Sequence, residues 1–180
     1  MASCRDCCRT SRRARSRTLR SNRDPAQCKA SPIPFVARCA DAPFPADRFD
    51  PSVFLAMAPD VQQRSSTLAD APGVVDFVFL PDPVFDEEAW TKAIAAPNAV
   101  GVLRGTIAAF EALDTWTADA LKAAFDAVAD SFELKPGKAQ APVRIAVTGR
   151  TSGPPLYLPL EILGRDEVLR RLRAAEARIG

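Results

Sequence analysis

The side chains available for covalent chemistry are few. No histidine occurs in the 180 residues, which excludes serine–histidine and cysteine–histidine nucleophilic sites, histidine-ligated zinc and histidine general acid–base catalysis. Five cysteines (Cys4, Cys7, Cys8, Cys28 and Cys39) all lie in the first fifty residues. Cys4 and Cys7 have the spacing of half a zinc or redox site, but no second pair at similar spacing follows, so no metal site is expected. Carboxylate pairs such as Glu87–Glu88 and Asp166–Glu167 stand where helices begin. Negative charge there complements the helix dipole, and no nucleophile or metal shell accompanies them. What remains is the donor chemistry of arginine and lysine.

The basic residues are unevenly spread. The chain carries 24 Lys+Arg and 22 Asp+Glu, a formal net charge of +2. Its first fifty residues hold ten arginines and Lys29 against five aspartates, leaving the remainder net acidic. The segment from Met1 to Arg23 has almost nothing to bury and is expected to be disordered. Three other readings stay open for it: a metal half-site, an arginine-rich arm on nucleic acid, and an organellar transit peptide. A non-native or wrongly started extension is the fourth. Residues 31–51 are rich in proline without helical period and read as a linker. The expected division is therefore a disordered extension over residues 1–51 and a folded body over 52–180. No run approaches 18 apolar residues, and residues 1–30 lack the apolar core of a secretory signal.

The body reads as all-α, about eight short helices without βαβ alternation. Pro51–Ser52 opens a helix that Pro59 is expected to interrupt or kink. Gly73 to Pro81 is ambiguous between strand and buried helical turn, because its apolar residues do not alternate cleanly. Phe85 to Ile94 follows, then a segment capped by Asn98 and running to about Leu113. Thr117 to Phe132 carries Leu121, Phe125, Val128 and Phe132 on one face. Pro136–Gly137 is expected to stop that helix, and Pro142 to open the next one, which Gly149 ends. Leu156 to Leu163 and a last helix from about Asp166 complete the body. Two subdomains, roughly 52–113 and 114–180, are expected.

Three blocks carry a resemblance. They are Arg64-Ser65-Ser66-Thr67-Leu68-Ala69, then Leu134 to Gly149 (LKPGKAQAPVRIAVTG), then Gly153-Pro154-Pro155-Leu156-Tyr157 with Leu163 to Leu172 (LGRDEVLRRL). In order and spacing this pattern resembles the C-terminal anticodon-binding region of bacterial glutamyl-tRNA synthetases. It covers residues from about Ser52 to the end and is most specific from Glu133 to Arg173. The family's catalytic domain has a His-x-Gly-His signature and a Lys-Met-Ser-Lys-Ser-type loop, and this sequence contains neither. The resemblance therefore implies an α-helical anticodon-binding cage that does not itself activate glutamate. It implies no cofactor in this chain, since ATP and magnesium serve the family's catalytic domain.

The same resemblance implies the site. Arg64 takes the position of an arginine facing the third anticodon base. A guanidinium offers only donors, matching the O2 and N3 acceptors of cytosine and opposing the N1 and N2 donors of guanine. Arg144 is placed among the anticodon bases, and Pro154 and Leu156 lie in a loop that packs on anticodon nucleotides. The family loop carries threonine where Gly153 stands. Lys135, Lys138 and Arg150 are candidate phosphate contacts. The implied partner is glutamate tRNA, with a separately encoded catalytic domain as a further one; neither DNA nor membrane is implied, and the implied compartment is the cytoplasm. The alternative from another class is a helical protein-interaction or remnant domain without RNA affinity, which the acidic body favours slightly because RNA binders are usually basic. The tRNA-binding half of a split ligase is the third reading.

Overall fold

The computed structural model describes residues 44–67 and 69–179. Expectations for residues 1–43, including disorder and the cysteine pair, lie outside the described residues. A 3-10 turn at Ala46–Arg48 precedes eight helices: α1 Pro51–Arg64, α2 Ala71–Phe79, α3 Glu87–Ile94, α4 Ala99–Glu111, α5 Ala118–Ser131, α6 Pro136–Thr148, α7 Tyr157–Leu163 and α8 Arg165–Ile179. The described residues contain no strand, so the fold is all-α. Among them, no single helix is long and apolar enough to cross a membrane.

Local chemistry accounts for most boundaries. Asp50, Asp86 and Thr117 each accept a backbone N–H of the helix they precede, from Ser52 (2.8 Å), Ala89 (3.0 Å) and Ala120 (3.3 Å), the usual satisfaction of an orphan donor. Asn98 precedes α4 without a side-chain cap; it turns the chain through a left-handed backbone (φ 63°) instead, a conformation asparagine tolerates. The segment left open between strand and helix is helix α2. Pro59 does not break α1, which continues through it. Pro59 and Leu55 are both exposed, so the Leu55 carbonyl deprived of its partner can turn to water. Helix α6 starts at Pro136 rather than Pro142. Pro136 fits the first helical position, where its lacking N–H is no loss, and Pro142 lies inside the same helix behind an exposed Lys138.

The folded body begins before Ser52. Phe44 is buried, its ring 4.9 Å from that of Phe79, and Phe49 lies 5.2 Å from the same ring. These phenylalanines cover α1 and α2, so the linker reading fails for residues 44–51.

The apolar interior gathers into two clusters. The smaller joins Phe44, Met57, Val61, Val75, Phe77 and Phe79. The larger is built on α4, whose Val102, Leu103, Ile107 and Phe110 meet Leu121 and Phe125 of α5, Val143 and Val147 of α6, and Leu172 of α8. The break between them falls between Leu80 and Phe85, not near residue 113, because α4 packs against α5, α6 and α8. Gly101 permits the α4–α5 approach: a Cβ there would lie 2.8 Å from the Phe132 ring.

Two arginines join the clusters. Arg171 of α8, with a side chain 1% exposed, donates to the carbonyls of Phe77 (2.9 Å), Leu80 (2.8 Å) and Val147 (3.0 Å), and to Glu167 (2.6 Å). Every contact satisfies a donor that burial would otherwise strand. Arg150 makes the second joint.

Candidate nucleic-acid interface

Helix α1 ends on Arg64, where a cation favours the negative end of the helix dipole. The side chain is exposed and makes no hydrogen bond or ion pair with another described residue. Helix α6 carries Gln140 and Arg144 one turn apart, hence on one face. Arg144 is half-buried and donates to the Pro154 carbonyl at 2.7 Å. Burial first, and then the positive charge of Arg64, hold its guanidinium below the ordinary arginine range. The two arginines are therefore electrostatic neighbours, and no described carboxylate forms an ion pair with either. Arginine does not deprotonate in proteins, so this corner presents two positive charges without an ion-pair partner among the described residues.

The loop after α6 closes around Arg144. Gly149 ends the helix with φ 77°, and a Cβ on it would overlap the Val84 carbonyl, so glycine is required twice over. Gly153 approaches the Arg144 guanidinium, with 3.7 Å between its notional Cβ and Nη1. Gln140 donates to the Tyr157 hydroxyl at 2.9 Å, and burial pushes that phenol above its ordinary pKa. Gln140 and Tyr157 thus stand beside Arg144, although sequence reasoning passed over both. Gln140 could have been found, being four residues before Arg144 on the same face.

Other candidates are placed differently. Pro154 and Leu156 are buried, Leu156 at 2% exposure within the larger cluster, and exposed Pro155 lies between them. Their side chains serve the interior. Arg150 is committed elsewhere: it bonds the carboxylate of Asp76 through both oxygens (2.6 and 2.7 Å) and the Gly73 carbonyl. A guanidinium so paired is not a free phosphate contact. Lys135 and Lys138 stand exposed at the start of α6. Among the described residues no group of three or more acidic or cysteine side chains is arranged to hold a metal ion.

Fold and surface together define a helical module with a cationic corner. Residues 32–176 match the family described as "Anticodon binding domain". The chain belongs to the anticodon-binding domain family. It is 48% identical over 144 residues to the glutamate–tRNA ligase of Salinispora tropica, covering 80% of this chain and 31% of that protein. The ligase of Thermobifida fusca is 49% identical over 148 residues, 78% of this chain and 31% of its own length. The match corresponds to the C-terminal anticodon-binding region of glutamyl-tRNA synthetase. The chain thus spans about a third of the length of these relatives. A crystal structure of a glutamate tRNA ligase from Elizabethkingia meningosepticum superposes with a TM-score of 0.68 at 22% identity, covering 82% of this chain and 28% of that one. That likeness concerns the fold.

Proposed function

We propose that this chain binds the anticodon loop of glutamate tRNA, with Arg64 and Arg144 as its base-facing donors, and does not itself activate glutamate. The observation that carries the reading is the uncompensated pair. Two guanidiniums at the junction of α1, α6 and the 149–156 loop have no described ion-pair partner, although the body as a whole is acidic. Like charges at close quarters disfavour one another, and a polyanion bearing exposed base edges relieves them. Single-stranded RNA loops are read in this manner, by donors and flat groups against splayed bases.

Arg144 is suited to a positioned contact, because one nitrogen is anchored on Pro154 and the rest of its fork is left for a ligand. Pro155 and the Tyr157 ring supply apolar surface beside it, and Lys135 and Lys138 at the α6 N-terminus would meet the backbone phosphates. ATP and magnesium have no role in this binding reaction. Glutamate activation would require the signature loops that the 180 residues do not contain.

The purified chain should bind a glutamate anticodon stem-loop more tightly than the same stem with an unrelated loop, with affinity falling steeply as salt rises. It should give no glutamate-dependent pyrophosphate exchange above a buffer blank. Equal affinity for both loops would contradict the binding reading, and measurable exchange the other half.

A further inference from the structure

We propose that Arg150 and Asp76 form a positioning pair that sets the spacing of Arg64 and Arg144 and thereby tunes selectivity for the third anticodon base. The inference rests on the reading that these two arginines face the loop. Arg64 belongs to the α1–α2 unit, whereas Arg144 belongs to α6 in the larger cluster. A base read jointly by both requires a fixed distance across the break between the clusters.

Arg150 bridges that break close to the site. Its guanidinium grips α2 at two points one turn apart, the Gly73 carbonyl and the Asp76 carboxylate. Asp76 is 8% exposed and also accepts the Phe77 N–H at 2.7 Å, so it is a fixed anchor. On the other side, the backbone of Arg150 is tied to that of Arg144. The buried Thr148 hydroxyl lies 2.8 Å from the Arg144 carbonyl and 2.9 Å from the Arg150 carbonyl. The fork, Thr148 and α6 therefore form a short connection from α2 to Arg144. One terminal nitrogen of the guanidinium holds the Asp76 carboxylate and the other the Gly73 carbonyl, a two-point grip in a rigid plane that a lysine cannot supply. The Arg171 contacts with Phe77, Leu80 and Val147 remain when the Arg150 fork is lost, so its loss shifts α2 rather than releasing it.

The test uses the full chain with Arg150→Lys and, separately, Asp76→Asn. Dissociation constants are measured for two anticodon stem-loops differing only in cytosine or guanine at the third base, at one salt concentration, alongside the thermal midpoint. The native preference for cytosine, about tenfold or more, should fall toward one in both variants. In an Arg64→Gln background, adding Arg150→Lys should leave the ratio unchanged. A preference retained while both affinities or the midpoint fall together would make the pair structural only and overturn the inference. A native chain that binds neither loop would overturn the functional reading beneath it, and the inference with it.

Discussion

Arg144 contributes twice, once to the loop it braces and once to the charge of the surface. Its hydrogen bond to the Pro154 carbonyl is internal, but its charge is paired with no carboxylate among the described residues. Arg144→Met keeps the half-buried stem and deletes the charge. It should weaken both stem-loops, narrow the preference for cytosine at the third base, and reduce the slope of log affinity against log salt by about 1, as expected for one lost cation on the RNA-facing surface. An unchanged slope would show that Arg144 serves the loop alone. Arg64 and Arg144 were singled out because each sits in a block of recognisable spacing. The burial of Pro154 and Leu156 and the pairing of Arg150 with Asp76 were not legible there. Which face of a short loop meets the core, and whether a guanidinium finds an acid 74 positions away in sequence, are set by tertiary packing that spacing does not encode.

Among the elements, the α2–α6–α8 joint bears on stability most directly. Arg171→Met removes the donor for three main-chain carbonyls and a Glu167 contact. Leaving buried carbonyls without a donor costs about 1–3 kcal/mol, readable as a lower urea midpoint. A change within error would show that water replaces the guanidinium. Glu167 gives the joint a pH dependence. Its hydrogen bonds from Arg170 first, and then Arg171, hold the carboxyl below the usual glutamate range. A depressed carboxylate stabilises the fold fully above its unfolded value, near about 4.3, and that stabilisation disappears as the pH falls through the lower folded value. Glu167→Gln should therefore flatten the acid limb of stability below pH of about 4.3, and an unaltered limb would assign acid lability to other carboxylates. Helix periodicity was readable here: Leu121, Phe125 and Val128 fall on the buried face foreseen for α5. Proline was the weaker guide. At Pro59 and Pro142 the deprived carbonyl lies at an exposed residue, so each helix runs on.

At the scale of the whole molecule, an acidic body presents a basic corner. Acidic α5 holds Asp119, Asp126 and Asp130, and Lys122 there is paired with Asp126 at 2.6 Å. Many other arginines are spent on internal pairs, including Arg104 with Glu176 and Arg173 with Glu111. Net charge therefore misleads about partners, because it adds neutralised side chains to free ones; Arg64 and Arg144 are neighbours among the described arginines that have no ion pair. The break between the clusters places one of them on each side, Arg64 at the end of α1 and Arg144 on α6. The all-α class was legible from the lack of βαβ alternation, whereas the start of the body was not, because Phe44 and Phe49 sit in proline-rich text whose burial depends on α1 and α2 being present.

The central claim is that Arg64 reads the third anticodon base through a donor set that guanine cannot satisfy. The most direct measurement compares, at one fixed salt concentration, the affinity of the chain for glutamate anticodon stem-loops with cytosine or guanine at that base, and repeats it with Arg64→Gln. The native protein should prefer cytosine by about 1–3 kcal/mol, the worth of one good base contact. Glutamine, which can turn either a donor or an acceptor to the base, should erase most of that preference. Equal affinity of the native protein for both loops, or an undiminished preference in Arg64→Gln, would contradict the account.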